Sequence, residues 1–396
     1  LRLSYISGLL YLVWKKQPER NKIMLHTPNA VRIDLSSLAF NLGQVKKLIR
    51  PGIKIMGIVK SDAYGHGLAE VSAALESNGV YSLGAAFLHE ALELRQKGIR
   101  VPLVILCGIK SIEEAEAVIE GNLTPVVFDL PSAAMLAGAA VKRSKTAGIL
   151  VKIDTGMGRL GTPHQQAVTF IKEIMRLPGL KIEGLMSHLS SADEEDSAFT
   201  DSQIRNFRDA VDAARATGIE LRLNTLANSA GIMAHKDSCF DMVRPGIMLY
   251  GGLPSPGFKA PFRLKPVMSL TGKIIQIREV PDGTPLSYGR RYYTEGNKII
   301  AVVSAGYGDG VPRALTNKGK VIIRGKKADI VGSVCMNLTL CDITAIKDAA
   351  PGDDAVFLGS HGHEAITGDD IALLNDTISY EIFLSIGKGV KKEYIG

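Results

Sequence analysis

Tryptophan occurs once in the 396 residues and cysteine four times. The thiols of Cys107, Cys239, Cys335 and Cys341 form no CxxC pair and no Cys/His ligand spacing, which excludes a disulfide scaffold and a zinc module. Free thiols kept reduced in a cytoplasm are the reading that remains, with Cys335 set apart for the motif it sits in. No apolar run approaches the roughly 20 residues of a membrane span. No repeat or low-complexity segment recurs. No GxGxxG follows the first strand candidate, which demotes the doubly wound dinucleotide-binding sheet to second choice. A dense basic run is missing too. More than half of the formal charge of +7 lies in residues 1–23, where Arg2, Lys15, Lys16, Arg20 and Lys22 face only Glu19. The rest of the chain has no basic patch interleaved with aromatics, which argues against a nucleic-acid partner.

What is present describes a globular protein with a large core: 46% hydrophobic and 22% charged residues. The segment up to Trp14 pairs one positive charge with a short apolar run but lacks a small-residue cleavage site. Residues 1–23 are therefore expected to form an extension outside the fold. From Val31 onward, strand-like runs at 53–59, 82–86, 102–106, 124–128, 149–153, 182–187, 221–225 and 241–244 alternate with helical patterns at 68–77, 88–97, 112–120 and 199–216. Eight such strands predict an α/β fold, an N-terminal (β/α)8 TIM-like barrel over residues 24–264. After the Pro-rich stretch 252–266 the character changes. Short β-branched runs at 272–280, 298–304, 320–323, 328–334 and 355–358, with Asp-Gly, Lys-Gly and Pro-Gly turns between, predict a mostly β C-terminal domain over 265–396 with a helical end near 371–386.

The first candidate for chemistry is Lys60. It closes the apolar run 53–59, and Gly65 and Gly67 then punctuate a turn into a helix. A strand-end lysine alone is commonly just solvated. At the carboxyl end of a barrel strand, however, it points into the place where such folds bind ligands, and desolvation there frees the neutral amine. Other strand ends carry equally unusual residues: Lys152 to Gly161 after the fifth, His188 after the sixth, Ser229 after the seventh and Arg244-Pro245-Gly246-Ile247 after the eighth. Ser229 and the glycine-bearing turn have the makings of a phosphate cradle, because only small residues let backbone N–H groups close on an anion. A lysine for an aldehyde and a distant cradle for a phosphate together suggest pyridoxal phosphate.

Nine stretches now carry a resemblance. VKSDAYGHG from Val59, VKIDTGMGRLG from Val151, MSHLSSAD from Met186, NSAG from Asn228, RPGIMLYG from Arg244, LSYG from Leu286, AGYGDGVPR from Ala305, VCMN from Val334 and SYEI from Ser379 occur in this order. The chain thereby resembles the alanine racemases, fold-type III pyridoxal-phosphate enzymes, over its whole length beyond the extension. The resemblance implies that Lys60 carries the cofactor and acts as base on one face of the substrate Cα, and that Tyr288, from a partner subunit, acts on the other. It implies Tyr64, Ser229, Gly246, Ile247 and Tyr380 around the phosphate, and Arg244, supported by His188, at the pyridine nitrogen. An arginine cannot give that nitrogen a proton, which would restrain side reactions such as transamination. Arg159 and the amide of Met336 would hold the substrate carboxylate, with Lys152 often carbamylated in the family. A homodimer with shared sites, a small amino-acid substrate and D-alanine supply for peptidoglycan are further implications, with neither nucleic acid nor membrane as partner.

Departures from the pattern are confined. Asn337 and Ser333 stand where an aspartate and an arginine are common, both near the expected substrate entrance. Arg290-Arg291 add positive charge there, and the end, from Gly387 to Lys392, lacks the usual Arg-Val-Pro-Arg. Two rivals follow: a racemase of broader specificity on the same scaffold, and a non-catalytic barrel that carries pyridoxal phosphate. The second class lacks a C-terminal β domain and an equivalent of Tyr288.

Overall fold

In the computed structural model, which describes residues 27–396, the chain makes one strand, leaves that sheet to build a barrel, and returns to finish the sheet. The extension expected at residues 1–23 lies outside the described residues. The first strand is β1 (Ala30–Asp34), followed by helix α1 (Leu35–Leu48). The barrel strands are β2 (Lys54–Ile58), β3 (Ser82–Ala85), β4 (Leu103–Ile105), β5 (Thr124–Val127), β6 (Ala147–Asp154), β7 (Leu180–Met186) and β8 (Met242–Val243). Between them run α2 (Leu68–Ser77), α3 (Leu88–Gln96), α4 (Ile112–Glu120), α5 (Leu130–Lys142), α6 (Ala167–Ile174), α7 (Ala198–Arg215) and α8 (Ser229–Ala234). Every barrel pairing is parallel, and β8 returns to β2 through Lys54↔Met242 and Ile55↔Val243, which closes the ring. Parallel strands covered on both faces must be apolar throughout, and β3 and β4 are buried at every position.

The seventh strand, expected at 221–225, shrinks to single parallel bridges from Thr225 to Met186 and to Met242. Its backbone still bonds to both neighbours: the Thr225 N–H donates to the Leu185 carbonyl at 2.9 Å, the Ser187 N–H to the Thr225 carbonyl at 3.0 Å and the Met242 N–H to the Asn224 carbonyl at 3.1 Å. Side chains add to these bonds. Asn224 Oδ1 accepts from the amide of Leu185 at 3.0 Å, while the backbone and side-chain N–H of Asn224 donate to Asp241 at 3.0 and 2.7 Å. The backbone polar groups are satisfied by these bonds together, so the segment keeps its place in the ring without a regular ladder.

The second sheet holds β9 (Met268–Val280), β10 (Lys298–Val303), β11 (Lys320–Ile323), β12 (Lys326–Ile330), β13 (Thr339–Asp342), β14 (Asp354–His361), β15 (Glu364–Ile366) and β16 (Lys392–Ile395), with α9 (Gly368–Leu374) and α10 (Ser379–Gly389) before the last strand. The strand β1 lies inside this sheet, antiparallel to β9 and parallel to β16. Residues 30–34 therefore belong structurally with the C-terminal sheet, whereas a boundary at residue 24 counts them with the barrel. Asn41 of α1 fastens the linker at the other end: its amide donates to the carbonyls of Leu249 and Lys265 at 3.0 and 2.8 Å and accepts from the Lys265 N–H at 2.8 Å. Among the described residues no helix is long and apolar enough to cross a membrane.

Directly after Lys60, at the end of β2, the chain coils the wrong way. Ser61, Asp62, Ala63 and Tyr64 all have φ between 51° and 57°, a left-handed turn without a glycine among them. Gly65 ends it in contact with α10: a Cβ there would come within 2.5 Å of the Phe383 carbonyl. His66 sits behind the turn, fully buried, between the rings of Tyr250 at 4.6 Å and Phe383 at 5.2 Å. Its Nδ1 lies 3.1 Å from the Tyr64 carbonyl, which can only accept, so Nδ1 carries the proton. Nε2 has no partner, and burial pushes the imidazole pKa down to about 4. The unfolded chain, with histidine near 6.5, takes up that proton first, so the stability is present above 6.5 and is lost as pH falls toward 4. His66→Phe should remove this loss: across that window the wild-type unfolding free energy should fall by about 3 kcal/mol more than the variant's, read from urea unfolding curves.

Candidate active site

A cavity of about 490 Å³ opens at the carboxyl ends of the barrel strands. Ten residues singled out in the sequence line it: Lys60, Tyr64, Lys152, Arg159, His188, Ser229, Arg244, Gly246, Ile247 and Tyr380. Lys60 and Tyr64 share the turn after β2, Lys152 and Arg159 the end of β6, and Arg244, Gly246 and Ile247 the turn after β8. His188 and Ser229 follow β7 and the bridge at Thr225, and Tyr380 comes from α10 of the second domain. Tyr288 and Met336 stand apart, on the second domain, with 72% and 57% of their surface exposed.

Lys60 is held through its neighbours. The carboxylate of Glu90, on α3 and only 7% exposed, accepts from the Ser61 N–H at 2.6 Å and from the Ala86 N–H at 2.7 Å. Asp62 accepts from the Leu68 N–H at 2.8 Å and from Lys392 Nζ at 2.9 Å, so β16 also braces the turn. Burial lowers the Lys60 pKa, and the Arg159 guanidinium adds to the effect, partly opposed by Cys107 and Glu90. Lys152 is held well below the ordinary lysine range, first by burial and then by Arg244 and Arg159.

Arg244 is 4% exposed and makes four hydrogen bonds through Nη1 and Nη2. It donates to Thr225 Oγ1 at 2.7 Å, to the carbonyls of Ser187 and Leu226 at 2.6 and 3.1 Å, and to His188 Nδ1 at 3.1 Å. A guanidinium cannot accept, so His188 offers Nδ1 as a lone pair. Burial and the charges of Arg244 and Lys152 keep that imidazole neutral, well below its usual range. Burial pulls Arg244 itself down to about 9, which leaves it protonated near neutrality. At the opposite wall Ser229 Oγ accepts from the amides of Gly246 and Met248 at 3.0 and 3.4 Å. Gly246 has to be glycine: a Cβ would lie 2.5 Å from the Tyr64 hydroxyl. Tyr250, fully buried, stacks on Tyr64 at 4.8 Å and donates to the Ile58 carbonyl at 2.8 Å, which ties this wall to β2.

Residues 33–254 match the family of alanine racemase N-terminal domains, and residues 267–394 match that of alanine racemase C-terminal domains. The chain belongs to the alanine racemase family. The alanine racemase of Syntrophobacter fumaroxidans is 42% identical over 364 residues, spanning 92% of this chain and 96% of that one. The solved alanine racemase of Clostridium difficile 630 superposes with a TM-score of 0.86 at 36% identity, covering 94% of this chain and 96% of its own. That of Bacillus anthracis, solved with bound L-Ala-P, gives 0.85 at 30% identity over 94% and 96%. As a member of the alanine racemase family the protein is an isomerase that racemises alanine.

Several contributors escaped the sequence. Glu90 reads there as an ordinary helix glutamate, and Thr225 as a strand residue. Cys107 lines the cavity, whereas Cys335, the thiol set apart, does not. Of the two residues expected near the substrate entrance, Ser333 is 2% exposed and Asn337 is exposed. Glu90→Gln can accept with one oxygen only, so either the Ser61 amide or those of Ala86 and Phe87 lose their partner. The substitution should lower the unfolding free energy of the cofactor-free protein by about 1–3 kcal/mol, measured by urea unfolding, with Glu90→Asp less damaging than Glu90→Ala.

Proposed function

We propose that this racemase binds pyridoxal phosphate and interconverts L- and D-alanine with two bases, Lys60 and Tyr288, which supplies D-alanine for peptidoglycan. The observation that carries the reading is one cavity that holds a desolvated lysine at one wall and a glycine-formed cradle at another. The residues present fit such a cofactor. The cradle offers the hydroxyls of Tyr64, Ser229 and Tyr380 beside the Gly246–Ile247 backbone, a neutral donor set suited to a phosphate, and Gly246 keeps the space that a Cβ would fill. Arg244 would face the ring nitrogen, held in place by its four bonds and the neutral His188. When bound, pyridoxal phosphate supplies an electron sink that acidifies the substrate Cα–H.

The remaining work falls to side chains. Arg159 and the Met336 amide would orient the substrate carboxylate. Lys60, with its pKa lowered, has a neutral fraction able to take the proton on one face, and Tyr288 returns one on the other. Burial and the neighbouring arginines shift Lys152 toward the free amine, the form that adds carbon dioxide, and the carbamate anion would pair with Arg159. Tyr288 lies outside the cavity of its own chain, so a two-fold homodimer in which each second domain caps the partner's barrel completes both sites.

Two experiments test this. Borohydride treatment of the holoenzyme should fix the cofactor covalently on Lys60, seen by peptide mass spectrometry. An adduct on any other lysine overturns the assignment. Inactive Lys60→Ala and Tyr288→Phe chains, mixed and allowed to exchange subunits, should recover about a quarter of wild-type activity, because half the dimers are mixed and each has one intact site. No recovery after demonstrated exchange would mean that each site is built within one chain.

A further inference from the structure

A tyrosine that must reach a site outside its own domain has a problem of orientation. Tyr288 is 72% exposed, so packing on its own chain does little to fix its ring, and its direction has to come from its backbone. That backbone is unusual. Ser287 has φ 61° and ψ −174°, a conformation that glycine adopts freely and a serine adopts at a cost of about 1–3 kcal/mol. Two hydroxyls hold it there. Ser287 Oγ donates to the Ser333 carbonyl at 2.6 Å, and Ser333 Oγ donates back to the Tyr288 carbonyl at 2.8 Å. Ser333 is 2% exposed, so its hydroxyl is committed to this bond and not to solvent. Gly332 lets the two segments close: a Cβ there would lie 2.8 Å from the Ser287 Cβ.

We propose that Ser287 and Ser333 form a reciprocal clasp that positions Tyr288 for proton transfer. The clasp joins the segment that carries Tyr288 to the one that carries Met336, so the second base and the amide proposed to hold the carboxylate move as one body. Neither serine touches the substrate; both act through the tyrosine. This inference rests on the reading of Tyr288 as the second base.

The test separates the two faces of the substrate. In D2O the holoenzyme is given each alanine enantiomer, and deuterium uptake at Cα is followed by NMR while inversion is followed by polarimetry. Ser333→Ala removes one bond. Ser287→Gly removes the other and relieves the backbone, so it folds without penalty at that φ. Both variants should invert alanine about tenfold more slowly, whereas the enantiomer whose Cα–H faces Lys60 should take up deuterium within about twofold of the wild-type rate. In cofactor-free protein, amide exchange of residues 285–292 should quicken in both. Exchange and inversion that fall together, or rates that do not move, overturn the clasp. Tyr288→Phe serves as the reference. If it uncouples exchange from inversion while the serine variants behave as wild type, the clasp alone is wrong. If Tyr288→Phe inverts at the native rate, the assignment of Tyr288 fails and the clasp falls with it.

Discussion

Four consecutive left-handed residues after Lys60 are the constraint around which the molecule is arranged. For L-residues this hand costs about 1–2 kcal/mol each, so the turn stands only where its surroundings hold it. The supports come from far apart in the chain. Glu90 on α3 takes the first amide, Asp62 spans to Leu68 and Lys392, and Gly65 meets α10 so closely that Gly387 would place a Cβ 2.1 Å from the Gly65 carbonyl. The turn in exchange sends Lys60 and Tyr64 into the same cavity from positions four apart. Contact between barrel and second domain is thus part of how the lysine is held.

Charge in the cavity is arranged on the same principle. Lys60, Lys152, Arg159 and Arg244 converge there with Asp154 as the lining carboxylate. Burial makes each charge expensive and a neighbouring cation adds to that, and the cost falls on the groups that can shed a proton. The two lysines and His188 are therefore pushed toward neutrality, and Arg244 keeps its charge. A site with this balance favours an anionic ligand while keeping free amines available.

Much of this was legible in the sequence, and the limits have physical causes. Strand ends are marked by where apolar runs stop, which is why Lys60, Lys152, His188 and Arg244 could be grouped before any coordinates. Periodicity does not say which sheet a strand joins, so β1 was placed with the barrel although its partners lie in the second sheet. It also does not reveal that a segment will be held by irregular backbone bonds reinforced by side chains, as at Asn224 and Asp241. The left-handed turn leaves no local trace: Ser61, Asp62, Ala63 and Tyr64 have no glycine, and the forces that hold them are non-local. Glu90 was hidden because a glutamate on an amphipathic helix is usually solvated. Tyr288 and Met336 emerged only through the resemblance, since exposed residues in a β domain carry no pattern of their own.

The place of β1 between β9 and β16 has a consequence for the order of events during synthesis. The earliest strand described leaves the ribosome with no neighbour, and it must wait while the whole barrel is made before β9 offers one edge. Its other edge is covered only by β16, the strand that also carries Lys392 to Asp62. Contacts of such sequence separation form late. Barrel strands can pair as they emerge, but the left-handed turn lacks its C-terminal braces until translation nears residue 392. The lysine is made early and set last, so the nascent chain has most of its architecture before it has an ordered reactive amine.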